Sequence, residues 1–217
     1  MMKTLLLTIS VAAIFAAGVV QAAEQHAAAA SQVTTGDIKA GEQKASTICI
    51  ACHGPQGNSL VPIWPKLAGQ HPDYIKKQIM DFKAGNRYNV QMTPMAMPLT
   101  DQEVADVAAY FSSQKQSGGT ADSELTKLGE SIYRAGNPTT GVPACSGCHG
   151  PAGLGQGLSR FPRLSGQHAG YIKQTLGYFQ KQERANDPNG MMRGVTARMT
   201  DQEMTAVSQY IQGLAAK

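Results

Sequence analysis

Apolar residues along this chain recur at intervals of three and four, which places them on one face of a helix. Leu125, Leu128 and Ile132 form one such stripe. Ile75, Ile79 and Phe82 form a second, echoed by Ile172, Leu176 and Phe179. Val104, Val107, Ala108 and Phe111 form a third, echoed by Met204, Val207 and Ile211. The third stripe opens each time with Thr-Asp-Gln-Glu, at Thr100 to Glu103 and Thr200 to Glu203. That is a capping box, with Thr at the N-cap and Glu three residues on. A further helix is expected from about Asp37 into the first pair of cysteines. Gly, Pro and Asn fill the connections, and no stretch alternates with period two, so the chain is expected to be all-α.

The echoes extend beyond the stripes. Lys39-Ala-Gly-Glu42 matches Lys127-Leu-Gly-Glu130, and Trp64-Pro-Lys-Leu-Ala-Gly-Gln-His71 matches Phe161-Pro-Arg-Leu-Ser-Gly-Gln-His168. Tyr74-Ile-Lys76 matches Tyr171-Ile-Lys173. The offset drifts from 88 to 100 along the chain, and one extra segment lies near Asn137 to Ala144. A period this long indicates a duplicated domain rather than a solenoid. Residues 23–114 and 124–217 are the expected domains, with 115–123, containing Ser-Gly-Gly-Thr, as linker. Residues 1–22 form an expected signal peptide: a charged start at Lys3, an apolar run from Leu5 to Val20, and a cleavage site at Val20-Gln-Ala22. That address implies export, to the periplasm in a bacterium. His26 lies in an Ala-rich stretch expected to be disordered.

Removing the leader leaves about 195 of 217 residues, enough for two small domains. With only 6% aromatics, domains of that size are marginal without added core material. Residues 23–114 carry 7 basic and 8 acidic side chains, and residues 115–217 carry 11 and 7, a balance of −1 against +4. This is too weak a field for nucleic-acid binding. It marks the second half as the more positive end, with Arg160, Arg163, Lys173 and Arg198 as candidate contacts to an acidic partner.

All four cysteines belong to two copies of one motif, Cys49-Ile-Ala-Cys52-His53 and Cys145-Ser-Gly-Cys148-His149. Cys-x-x-Cys-His is the attachment signature of c-type haem. Two thiols three residues apart add across the two vinyl groups of one porphyrin, and the next histidine becomes an axial ligand of the iron. A lone Cys-x-x-Cys would also suit a redox dithiol or half a zinc site, but the adjacent histidine and the duplication disfavour both. Two covalent haem c groups are therefore expected. A low-spin iron needs a sixth ligand, and a thioether suits one that carries electrons. Counted back from the shared Thr-Asp-Gln-Glu, Met92 and Met192 occupy the same position, whereas Met95 pairs with Val195 and Met199 with Leu99. Met92 and Met192 are the expected ligands, with Met95 and Met191 as rivals. Pro65 and Pro162 follow the histidines by 12 and 13 residues, where either carbonyl can orient the imidazole or merely serve a turn. Trp64 and Phe161 are candidates to pack on the haem. His71 and His168 open the middle helices, where a capping or surface role is expected.

These residues resemble the cytochrome c4 family. The resemblance is carried by the two Cys-x-x-Cys-His-Gly runs, Pro-Lys-Leu-Ala-Gly-Gln with its echo Pro-Arg-Leu-Ser-Gly-Gln-His, Met92-Thr-Pro-Met95, Met192-Arg-Gly-Val195 and Tyr210-Ile-Gln-Gly-Leu214. It implies two tandem class I cytochrome c-like domains about a pseudo-twofold axis, with His53 and Met92 on one iron and His149 and Met192 on the other. The segment between Ala84 and Met92 is short for the family's first domain. The implied role is electron transfer rather than enzymatic turnover, from a quinol-oxidising complex towards a terminal oxidase. The expected partners are redox proteins, with the chain a monomer that is freely diffusing or peripherally membrane-associated. Two other classes compete: a dihaem subunit of an enzyme complex such as a flavocytochrome sulfide dehydrogenase, and a dihaem peroxidase, which two equivalent methionines disfavour.

Overall fold

The computed structural model describes residues 35–121 and 123–214, so the expected signal peptide and His26 lie outside the described residues. Helix α1 (Ile38–Lys44) is started by Asp37, whose carboxylate accepts the Ala40 N–H at 2.9 Å. It continues through one wide π-type turn (Ala45–Cys49) into α2 (Ile50–His53). The first half then adds α3 (Pro72–Lys83), α4 (Met92–Ala96) and α5 (Asp101–Ser113). The second half repeats the order with α6 (Ser123–Ala135), α7 (Ser146–His149), α8 (Ala169–Gln180), α9 (Met191–Thr196) and α10 (Asp201–Gly213). Among the described residues the only β pairings are two isolated bridges, Asn137 with Val142 and Gln156 with Phe161. No helix of the described residues is long and apolar enough to cross a membrane.

Both capping boxes form. The Thr100 N–H donates to Oε2 of Glu103 at 2.8 Å while the Glu103 N–H donates to Oγ1 of Thr100 at 3.2 Å. Thr200 and Glu203 repeat this at 2.7 and 3.2 Å. The first and last helices of each half pack together, α1 on α5 and α6 on α10. The glycine shared by the two repeats explains how closely they approach. A Cβ at Gly41 would stand 2.1 Å from the Asp106 carbonyl oxygen, and one at Gly129 2.1 Å from that of Ala206. The expected stripes line the two cores, with Ile75, Val107, Ala108 and Phe111 buried in one and Ile132, Ile172, Leu176 and Val207 in the other. Leu128 is the exception, 38% exposed at the edge of its stripe.

The two halves exchange hydrogen bonds as a pseudo-twofold axis requires. Tyr74 Oη is 3.2 Å from the Arg184 guanidinium, and Tyr171 Oη is 3.3 Å from that of Arg87. His71 Nε2 is 2.8 Å from the Leu154 carbonyl, and His168 Nε2 is 2.8 Å from that of Ser59. Both histidines do occupy N-cap positions, of α3 and α8, but make no side-chain cap bond; their rings bridge the halves instead. Lys66 is buried, and its ammonium donates to the carbonyls of Ser117, Gly118 and Gly166. It thus ties the connecting segment to the second half. Arg163, expected among the surface cations, meets the same interface through its backbone, its N–H donating to Oε1 of Gln70 at 2.9 Å.

Candidate functional site

Each cysteine motif ends its helix at a histidine because the next residue is a glycine in a conformation closed to other residues. Gly54 has φ 72° and Gly150 φ 77°. The π-type turn that ends at Cys49 widens the helix where wide turns often mark a functional site. His53 and His149 are buried, 5% and 8% exposed. The Nδ1 atom of His53 lies 2.9 Å from the Pro65 carbonyl oxygen, and that of His149 lies 3.0 Å from that of Pro162. A carbonyl only accepts, so Nδ1 carries the proton in both rings and the lone pair of each neutral ring sits on Nε2. Burial depresses both imidazole pKa values, outweighing the carbonyl bonds, which act the other way. The rings are therefore neutral and aimed, which is what an iron ligand requires.

His53 Nε2 is fully buried and has no hydrogen-bond partner. A buried lone pair left unsatisfied costs about 1–3 kcal/mol, which coordination to a metal removes. All four cysteines are free, and burial raises Cys49 and Cys145 to about 11. Among the described residues no group of three or more His, Cys, Asp or Glu side chains gathers to hold a metal by itself. The donor set of each half, two thiols and one imidazole nitrogen, fits a porphyrin that brings its own four nitrogens and is held through the thiols.

The structure places Met92 as the first residue of α4 and Met192 in the first turn of α9. Asn89 organises the approach to α4, its Oδ1 accepting the N–H groups of Gln91 at 3.0 Å and Met92 at 2.9 Å. Asp187 organises the approach to α9, accepting the Arg193 N–H at 3.0 Å and its Nε–H at 2.8 Å. Met92 and Met192 are both half-buried, and Met192 packs on the second core. Met95 and Met191 are 48% and 41% exposed. Phe161 sits beside its histidine, ring centroids 6.3 Å apart. Trp64, its counterpart, has a buried Nε1–H without a partner. The interdomain roles of Gln70, Gln78, Gln167 and Arg184 had no signal in the sequence beyond the repetition of Gly-Gln-His.

The cytochrome c family model matches residues 38–115 and 127–215, once for each half. The chain is 70% identical over 191 residues to cytochrome c4 of Thiocapsa roseopersicina, covering 88% of this chain and 98% of that protein. A thiosulfate dehydrogenase electron acceptor of Thiomonas intermedia is 38% identical over 167 residues, 75% of this chain and 76% of that protein. The crystal structure of reduced recombinant cytochrome c4 from Pseudomonas stutzeri superposes with a TM-score of 0.80 at 47% identity, covering 83% of this chain and all of that one. With two matched domains, two aimed histidines and two pairs of free thiols, the chain belongs to the cytochrome c4 family, electron-transfer proteins with two covalently bound haem c groups.

Proposed function

We propose that this protein is a periplasmic carrier that relays single electrons between respiratory complexes, towards a terminal oxidase, by outer-sphere transfer. In this reading Cys49 and Cys52 hold the first haem as thioethers and Cys145 and Cys148 the second. His53 and Met92 are the axial ligands of one iron, and His149 and Met192 those of the other. A haem iron with both axial positions filled supplies reversible one-electron chemistry and no open site for a substrate. The protein's part is to keep coordination the same before and after each transfer. Pro65 and Pro162 hold the imidazole planes, and Asn89 and Asp187 fix the backbone ahead of the methionines. The single observation that carries the reading is the buried, partnerless Nε2 of His53 beside two free thiols.

The test is a redox titration of the mature protein followed by visible spectra, with mass spectrometry for stoichiometry. Two low-spin centres and two haem additions are expected. One haem, or a high-spin centre in the resting protein, would reject the carrier in favour of an enzyme with an opening iron.

A second reading concerns the donor. The relative from Thiomonas intermedia is named as the electron acceptor of a thiosulfate dehydrogenase. This supports an enzyme that oxidises a sulfur compound as the source of electrons, in line with a dihaem partner of such an enzyme complex and in place of a quinol-oxidising complex. Reduction of the purified protein by such an enzyme plus thiosulfate, compared with reduction by a quinol-oxidising complex, separates the two.

A further inference from the structure

The peptide group joining Pro65 to Lys66 is engaged at both ends. Its carbonyl oxygen, on Pro65, accepts the Nδ1–H of His53 at 2.9 Å. Its N–H, on Lys66, donates to Oε1 of Gln167 at 2.9 Å. Gln167 belongs to the other half, 101 positions away, and is 4% exposed. The second half mirrors this arrangement. The Pro162 carbonyl accepts the Nδ1–H of His149 at 3.0 Å, and the N–H of the same peptide group, on Arg163, donates to Oε1 of Gln70 at 2.9 Å. Gln70 is 7% exposed. Each glutamine is clamped. Gln167 Nε2 donates to the Lys66 carbonyl at 2.8 Å, and Gln70 Nε2 to that of Arg163 at 3.0 Å. Each Oε1 also receives the N–H of the following histidine, His168 or His71, at 3.0 Å.

An amide is a polarisable unit. An acceptor placed on its N–H draws negative charge towards its carbonyl oxygen, so hydrogen bonds in series strengthen one another by roughly 10–30% each. A more negative carbonyl holds the imidazole Nδ1–H more tightly and makes Nε2 a stronger donor to a metal. We propose that Gln167 is a positioning residue for His53 and Gln70 one for His149, so that each half of the molecule sets the ligand strength of the histidine in the other. A stronger donor favours the oxidised iron, so each glutamine holds the opposite haem at a lower potential. The inference rests on His53 and His149 being the iron ligands. It gives the interface a role beyond adhesion, because any loosening between the halves weakens both histidine bonds and raises both potentials together.

A glutamine that served only as a structural clamp would alter stability without discriminating between the haems. The test uses the full haem-loaded protein with Gln167→Met and Gln70→Met, which keep volume and remove the acceptor. Two quantities are read: the position of each ligand's Nδ1–H in the NMR spectrum, and the potential of each haem, assigned to its half through contacts with Ile50 or Ser146. Gln167→Met is expected to move the His53 proton and raise the potential of the first haem. The change should be up to tenfold in the one-electron equilibrium constant, which is about 59 mV, with His149 and the second haem unmoved. Gln70→Met is expected to do the reverse. Movement in the mutated glutamine's own half, equal movement in both halves, or a folded variant with neither histidine moved would overturn the proposal. Should Gln167→Met not fold, Gln167→Glu keeps the acceptor and should move the His53 proton the opposite way; an unmoved His53 there would also overturn it. Failure of the ligand assignment looks different, since then neither Nδ1–H would show the iron's paramagnetic shift in any variant.

Discussion

Arg184 reaches across from the second half of the molecule and places its guanidinium 2.9 Å from Oε1 of Gln78. The same oxygen accepts from Arg87 at 2.8 Å and from Asn186 Nδ2 at 3.0 Å. Both guanidiniums also lie over aromatic rings of their own halves, Arg87 over Phe82 at 4.6 Å and Arg184 over Phe179 at 4.5 Å. A neutral side chain is thus the meeting point of two cations, and Arg184 is only 6% exposed. Gln78→Leu would remove an acceptor shared by three donors, with Arg184 Nη2 still bonded to Tyr74 and Asn186 Nδ2 to Asp81. A loss of about 2 kcal/mol is expected, because hydrogen bonds to charged donors are worth about 1.5–3 kcal/mol. Denaturant unfolding monitored in both halves checks this; a change under about 0.5 kcal/mol would show that water replaces the bond freely.

Gly129→Ala tests the helix crossing of the second half. The added Cβ meets the Ala206 carbonyl carbon at 2.7 Å as well as its oxygen at 2.1 Å, and neither is a movable side-chain end. The helices must part, at about 1–3 kcal/mol for overpacking of this kind. Gly41→Ala should cost a similar amount in the first half. A neutral effect on thermal unfolding would mean that α6 and α10 slide without penalty.

Acid stability should depend on Lys44. Its ammonium lies 2.6 Å from Glu103, and this bond, ahead of that from the Thr100 N–H, lowers the carboxyl from 4.5 to about 2. A carboxyl lowered on folding stabilises the folded state fully above its unfolded value and ceases to do so as pH falls through its folded value. The contribution should therefore be complete above about pH 4.5 and vanish towards pH 2. Lys44→Met should lower stability at pH 7 and converge with the parent near pH 2. Parallel stability curves over that range would show that the pair contributes nothing. High salt should shrink the difference, since both side chains are partly exposed.

The methionine pairs make a spectroscopic prediction. Met92→Ala and Met192→Ala should each remove half of the weak sulfur-to-iron absorption band and lower one potential. Met95→Ala and Met191→Ala should leave both unchanged, because those side chains are 48% and 41% exposed. Loss of the band in Met95→Ala, with Met92→Ala intact, would transfer the ligand role to Met95.

Partner contact should be sensitive to ionic strength. The +4 balance of residues 115–217 acts on encounter rate and orientation. Arg160 and Arg198 remain exposed, whereas Lys173 pairs with Asp201 at 3.0 Å and Arg163 is half-buried with its Nε bonded to Ser165 Oγ at 3.1 Å. Electron transfer to an acidic partner should slow as the Debye length falls from about 30 to 8 Å. Charge reversal at Arg160 and Arg198 should slow it at low salt; a rate indifferent to both would remove steering as a factor.

Much was settled locally along the chain. Cys-x-x-Cys-His specifies its chemistry within five residues, and Thr-Asp-Gln-Glu specifies a helix start within four, so both were legible without a fold. The repeat aligned Met92 with Met192 and left their rivals without counterparts. Pairings between residues far apart were not legible, because nothing in a local pattern states which surface a side chain will meet. Whether Pro65 and Pro162 orient the histidines or merely turn the chain was decided by two distances. His71 and His168, expected to cap helices or face solvent, bridge the halves because packing α3 and α8 at the interface brings the Leu154 and Ser59 carbonyls within their reach. Gln70 and Gln167 are marked in the sequence only by the repeated Gly-Gln-His, which does not say what either side chain will meet. Only the pseudo-twofold packing of the duplicated domains, which sets each against a peptide some hundred residues away, gives them a role.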